Sequence, residues 1–241
     1  MEYTEFKTLL CLAFQKNKLT EPNEPQIEAF YHFTNLLLET NRTTNLTAIR
    51  NVPDVIYKHY VDSLLASEHF PTGATVLDVG CGPGFPSVPL AIYRSDLTIT
   101  ALDSTAKKIT FVQSACDALH LQNLTAISGR AEDIEIRRKI GLVDVVTSRA
   151  VARLNVLSEL CIPYLKVNGT FIALKGAKAA EELQEAIEAI RTLGGSDSTL
   201  VDAILTTEGE AEARGIVLVT KKSPSPAKYP RPYAAILKKP L

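Results

Sequence analysis

Apolar residues follow two patterns along this chain, and the change between them divides it. Over residues 2 to 16 and 24 to 41 they recur every three or four positions. In the second stretch Ile27, Phe30, Tyr31, Phe33, Thr34, Leu37 and Leu38 mark one face, the spacing of an amphipathic helix. Pro22 and Pro25 lie between the two helices and near the start of the second, where proline is tolerated. Residues 41 to 49 run polar and then apolar and read as a loop, and a further helix is expected from about Val52 to Phe70. Residues 1–70 are thus expected to form a helical cap ahead of a second unit spanning 71–241.

Beyond residue 73, short β-branched runs alternate with helical stretches. Strands are expected at 74–79, 97–102, 123–128, 142–147 and 169–175, with helices at about 84–93, 104–119, 131–139, 153–164 and 179–192. Such alternation builds βαβ units and a parallel sheet covered on both faces. Gly194-Gly195 ends the last of these helices. Two final strands, 199–207 and 215–221, are separated only by a Gly- and Glu-containing turn and read as an antiparallel pair. The expected fold is α/β and Rossmann-like, a mostly parallel seven-stranded sheet with helices on both faces and an N-terminal helical extension.

The most informative stretch is Val76-Leu77-Asp78-Val79-Gly80-Cys81-Gly82-Pro83-Gly84-Phe85-Pro86. A buried strand runs into a turn with three glycines in five residues and then into a helix. Such a corner binds ligands, because the turn lets them approach the backbone and the helix start offers unpaired N–H groups. A dinucleotide fingerprint, G-x-G-x-x-G, would need its third glycine at position 85, which is Phe85, or, counted from Gly82, at position 87, which is Ser87. What stands here is G-x-G-x-G directly after Leu-Asp-Val, which looks like motif I of the S-adenosylmethionine (SAM) methyltransferases. Five parallel strands closed by an antiparallel pair is also the usual plan of those enzymes.

Composition adds bounds. The 241 residues are 46% apolar and 22% charged, enough for a large core. Net charge is −1, yet from Arg214 onward there are seven basic residues (Arg214, Lys221, Lys222, Lys228, Arg231, Lys238, Lys239) and no acid. A basic terminus suits a polyanionic partner, and equally a solvated tail. Cys11, Cys81, Cys116 and Cys161 form no C-x-x-C pair, as free thiols do in a reducing cytoplasm. The four histidines make no metal-ligand spacing. No stretch approaches the ~20 apolar residues of a membrane span. Neither a metal nor a membrane is expected.

Ligands of open parallel sheets bind beyond the carboxyl ends of the strands, and that rule selects the candidates. Asp103, ending strand two about 20 residues after the glycine turn, suits a ribose diol, although an acid before a helix also serves as an N-cap. Glu132 and Asp133 after strand three suit an adenine, or the dipole of the next helix. Strand four ends in Thr147-Ser148-Arg149-Ala150, without the Asp/Asn-Pro-Pro-Tyr/Phe that holds an exocyclic amine in many base methyltransferases. An arginine there suits an acceptor that is already nucleophilic. Strand five ends with Lys175, at the same rim or snorkelling from it.

Together these residues resemble the RsmG/GidB family, guanine-N7 methyltransferases of 16S ribosomal RNA. The resemblance is carried by Asn45-Leu46-Thr47-Ala48-Ile49, His59-Tyr60-Val61-Asp62-Ser63-Leu64, the 77–86 string, Leu102-Asp103-Ser104, Ser148-Arg149-Ala150, Ala173-Leu174-Lys175-Gly176 and Lys228-Tyr229-Pro230-Arg231. It implies cofactor contacts at Gly80, Phe85, Asp103 to Thr105, Ala131, Glu132 and Arg149, beside Asp78, Gly82 and Gly84 of motif I. One stretch departs: after Tyr-Pro-Arg many members carry Lys-x-Gly-Thr-Pro, where this chain has Pro232-Tyr233-Ala234-Ala235-Ile236-Leu237 before Lys238-Lys239-Pro240-Leu241. The resemblance implies direct attack of the N7 lone pair on the sulfonium methyl, with the enzyme supplying alignment. Arg149 and Lys175 are the candidate catalytic residues near the base or cofactor. Arg42, Arg153, Lys178 and the tail cations are candidates for phosphates of 16S ribosomal RNA or the small ribosomal subunit. Three rivals remain: a small-molecule SAM methyltransferase, an NAD-binding oxidoreductase and a non-catalytic RNA-binding module.

Overall fold

The computed structural model describes residues 1–241. Its strands are Thr75–Val79 (β1), Thr98–Asp103 (β2), Leu124–Ser128 (β3), Val143–Arg149 (β4), Leu165–Lys175 (β5), Gly195–Thr206 (β6) and Ala211–Lys221 (β7). They form one sheet in the order β3-β2-β1-β4-β5-β7-β6. β1 to β5 are mutually parallel, and β7 inserts antiparallel between β5 and β6. The expected parallel sheet with an antiparallel closing pair is therefore the observed one.

Helices cover both faces. Tyr3–Lys16 (α1), Glu24–Asn41 (α2), a composite helix over 52–64 (α3), Ser87–Tyr93 (α4) and Ala106–Leu119 (α5) pack on one face. Ile134–Ile140 (α6), Leu154–Cys161 (α7), Ala179–Thr192 (α8) and Tyr233–Lys238 (α9) pack on the other. The start of α2 follows from its sequence, since Asn23 and Gln26 exchange side-chain-to-backbone bonds in a capping box with Pro25 in the first turn. Phe6, Phe14, Phe30, Phe33 and Tyr60 join Val76, Ile99 and Val145 of the sheet in a single apolar cluster. Residues 1–70 thus share the core of the sheet.

Strand periodicity sorts the side chains of β1. Val76 faces the α1–α5 side while Leu77 and Val79 face the other. Asp78 is therefore carried toward α4 and is fully buried. In α3 the backbone widens to a π-helix over Val55–Val61, which shifts the helical phase that side-chain spacing alone implies.

Several boundaries differ from expectation; β6 and β7 each begin four residues early, at Gly195 and Ala211. α7 stops at Cys161 and a 3-10 turn, Ile162–Tyr164, follows, because Pro163 has no N–H to continue the helix. β5 then starts at Leu165, four residues before the expected 169, and absorbs residues 166–169 as an irregularity opposite Val143–Val145. The C-terminus differs more. Tyr229 and Ile236 are buried, and Arg231 donates through its backbone N–H and Nε at 2.8 Å to Oε1 of Glu159, and through a terminal nitrogen at 2.6 Å to Oε2. Arg214 pairs with Asp62 and Glu212. Lys221 is buried, donates to the carbonyls of Ile162 and Leu165, and is pushed down to about 8 by that burial. Three of the seven cations of the basic terminus are thereby committed inside the fold.

Glu159 is fully buried, so Arg231→Met leaves an uncompensated carboxylate in the core. A loss of about 3 kcal/mol is expected, read as a lower urea midpoint. Adding Glu159→Leu to Arg231→Met is expected to recover most of it.

Candidate active site

A cleft of about 520 Å³ lies at the carboxyl ends of β1, β2, β3 and β4. This is the switch point of the sheet, where the strand order departs from β1 in opposite directions. The glycine turn and Asp103 line it centrally, Gly129, Arg130 and Glu132 at the β3 end, and Thr47, His59 and Arg149 to Val151 at the β4 end.

Backbone bonds shape the turn. The N–H groups of Gly80 and Cys81 donate to the Leu102 carbonyl at 2.8 and 3.1 Å, fastening the turn to the end of β2. Gly82 donates at 3.0 Å to one oxygen of Asp103 and Thr105 donates at 2.7 Å to the other. Both oxygens keep lone pairs for a diol. Gly82 has φ +58° and nothing within 4 Å of where a Cβ would stand, while a Cβ on Gly80 would collide with Val151. Beneath the turn, one oxygen of Asp78 accepts the Ser87 N–H at 3.1 Å and the Ser87 hydroxyl. Its other oxygen is buried without a partner. Burial pushes this carboxyl up to about 7, against the opposing pull of the Ser87 bonds.

Arg149 organises the other end. One terminal nitrogen donates to the Lys58 carbonyl at 2.8 Å and to Asp62 at 2.6 Å, and the second lies 3.2 Å from Nδ1 of His59. Because a guanidinium only donates, Nδ1 is the acceptor and the proton of the neutral ring sits on Nε2, 2.9 Å from the Thr47 hydroxyl. Burial, and then the Arg149 charge, hold His59 down at about 3. Its ring stacks on Phe85 at 4.1 Å between centroids, and the Arg149 guanidinium carbon stands 5.5 Å from the same Phe85 centroid. The Nε–H and one terminal N–H of Arg149 stay uncommitted.

The family described as rRNA small subunit methyltransferase G (GidB) matches residues 26–208 of this chain. The chain belongs to that family. It is 41% identical to a ribosomal RNA small subunit methyltransferase G of Clostridium botulinum, over 98% of this chain and 99% of that protein. Among solved structures, a SAM-dependent methyltransferase from Aquifex aeolicus superposes with a TM-score of 0.52 at 16% identity, covering 70% of this chain and 93% of that one. A SAM-dependent O-methyltransferase from Thermotoga maritima does so at 0.51 and 16%, covering 79% and 72%. These two are likenesses of fold.

Within this GidB-family cleft, Gly80, Gly82, Phe85, Asp103, Ser104, Glu132 and Arg149 all line the wall. Asp78, Gly84, Thr105 and Ala131 stand behind it: Thr105 steadies Asp103, and the buried Ala131 accepts the Tyr164 hydroxyl at 2.7 Å. Lys175 is elsewhere. Arg149 pairs in register with Leu174, and successive residues of a strand face opposite ways, so Lys175 leaves the sheet on the face away from Arg149. Its Nζ donates to the Ala152 carbonyl at 2.6 Å and to Glu182 at 2.7 Å. Glu182 also accepts the Leu154 N–H at 2.9 Å, so this pair clasps the segment after β4. Arg153 is exposed and pairs with Glu185, whereas Arg42 and Lys178 are exposed and have no ion-pair partner. Thr47, His59 and Tyr233 line the cleft and were absent from the sequence-derived candidates. For the first two the signal lay in the Asn45–Ile49 and His59–Leu64 strings, which carry the family resemblance.

The Asp78 carboxyl titrates near 7 in the fold and near 3.8 otherwise. Between these values the folded chain holds a proton that the unfolded chain has released. Its stabilising contribution is full below about pH 4 and lost as pH rises through 7. His59 has the opposite sign, contributing above pH 6.5 and losing that contribution as pH falls through about 3. Between pH 5 and 8 the cofactor-free wild type is expected to lose about 3 kcal/mol of unfolding free energy relative to Asp78→Asn. Urea titrations at stepped pH measure this, and parallel profiles would mean an Asp78 already ionised at pH 5.

Proposed function

We propose that this protein transfers the methyl group of SAM to N7 of a guanine in small-subunit (16S) ribosomal RNA. SAM supplies, when bound, a methyl group on a sulfonium that a nucleophile can attack. The cofactor fits the residues present: open space over Gly82 and a carboxylate at Asp103 with lone pairs to spare. Gly80, Gly82, Phe85, Asp103, Ser104 and Glu132 would hold it directly, with Asp78, Gly84, Thr105 and Ala131 supporting them from behind.

The observation that carries the choice of acceptor is the state of His59. At the Arg149 end of the cleft it is the residue suited to general-base work, yet one ring nitrogen accepts from Arg149, the other faces Thr47, and its basicity is suppressed. An exocyclic amine has a delocalised lone pair and gains from a site that helps remove its proton. Guanine N7 has a free in-plane lone pair and needs only alignment. Arg149, clamped by Asp62 and Lys58, is the residue best suited to fix the base or cofactor at near-attack distance. Lys175 acts in this reading through the segment after β4, by way of Ala152 and Glu182. The base itself must be splayed out of its RNA loop into the cleft.

The test is methyl transfer from labelled SAM to small ribosomal subunits and, separately, to deproteinised ribosomal RNA, both from a host lacking this protein. Borohydride and aniline then cleave at 7-methylguanosine. Label in one RNA with a single cleavage is expected; no label while SAM binds would redirect the reading to a small-molecule acceptor or a non-catalytic role. For the phosphate contacts, Arg42→Ala and Lys178→Ala are each expected to lower the slope of log affinity against log salt by about one. Unchanged slopes would remove both residues from the RNA surface.

A further inference from the structure

Tyr233 reaches the cleft from the start of the short C-terminal helix α9. It shares the lining with Ser104, Arg130, Glu132 and Leu160. The Arg130 guanidinium carbon stands 5.2 Å from the Tyr233 ring centroid, and Glu132 holds that guanidinium at 2.6 Å. The ring is set in advance of any ligand. Two residues before it Arg231 is locked on buried Glu159, and three residues after it Ile236 is fully buried against the α7 side of the sheet.

The strand order decides which end of the cleft this is. Arg130 and Glu132 follow β3, Asp103 ends β2, and Arg149 ends β4 on the far side of β1. Tyr233 therefore stands beyond the ribose-type acceptor Asp103, at the end opposite Arg149, His59 and Phe85. A purine ring is recognised by flat π surfaces, and an aromatic ring and a guanidinium plane are the two side-chain groups that offer them. We propose that Tyr233, with Arg130, is the stacking wall for the adenine of the S-adenosyl cofactor. Helix α9 then belongs to the cofactor site and not to an RNA-binding tail. This rests on the SAM reading given above and adds to it a residue that motif I and its neighbours do not contain.

The experiment is calorimetric titration of the full chain with S-adenosylhomocysteine and with 5′-methylthioadenosine, which share the adenosine and differ in the amino-acid portion. Tyr233→Ala is expected to weaken both ligands by the same factor, about tenfold. Tyr233→Phe, which keeps the ring, should stay within about twofold of wild type. Tyr233→Leu, which keeps apolar bulk for packing but has no π face, should fall with the alanine variant at an unchanged melting temperature. Wild-type affinity in Tyr233→Ala and Tyr233→Leu would overturn the inference and leave the SAM reading standing. So would a loss confined to RNA affinity, which would assign the ring to the acceptor base. Failure of the wild type to bind either adenosine ligand would instead overturn the SAM reading, and this inference with it.

Discussion

The carboxylate of Asp62 ties together three parts of the chain that are remote in sequence. One oxygen accepts from Arg149 at the end of β4, and the other from Arg214 on β7, each at 2.6 Å. Asp62 itself belongs to α3, one residue past the π-widened turn. Both members of the Arg149 pair are only 13% exposed, so removing Asp62 would strand the largely desolvated charge of Arg149, at a cost of about 3 kcal/mol. The N-terminal helices are thereby locked to the rim of the sheet where the cleft opens. Orientation of Arg149, and through it of His59 and Phe85, depends on that lock.

Two buried titratable groups then set the character of the cleft. Asp78 lies under the glycine turn with one oxygen satisfied by Ser87 and the other bare, and its charge is disfavoured by burial. His59 is held neutral by burial and by the guanidinium beside it. The environment of each suppresses the charged form, so the fixed charges facing the cleft are Arg149 at one end, Asp103 near the centre, the Arg130–Glu132 pair at the other end, and Lys108. Such a site orients a reactant more readily than it moves protons. A nucleophile with a free lone pair suits it.

The C-terminal segment belongs to the same construction. A buried glutamate, three hydrogen bonds from Arg231 and the apolar contact of Ile236 dock it on α7. This docking brings Tyr233 to the lip of the cleft. Lys175 and Glu182 do similar work on the segment after β4. Three internal ion pairs, at Asp62, Glu159 and Glu182, therefore each fasten one wall of the site.

Much of this was determined by the sequence alone. Alternation of β-branched and helical runs specifies a parallel sheet, because a strand buried on both faces must be apolar throughout and must be followed by a covering helix. The G-x-G-x-G turn and Asp103 were legible because backbone geometry and strand-end position leave a local signature. Other features were decided only by the tertiary structure. A π-widened turn is set by packing and not by spacing, so the direction of His59 was hidden. Arg149 and Lys175 both end strands, yet register turns them to opposite faces. A six-residue helix such as α9 carries too few residues for periodicity to speak and forms because Ile236 and Arg231 find partners in α7. Charge counting made Arg214, Lys221 and Arg231 look free, since a sum over sequence contains no information about which carboxylate or carbonyl the fold brings within 3 Å of each.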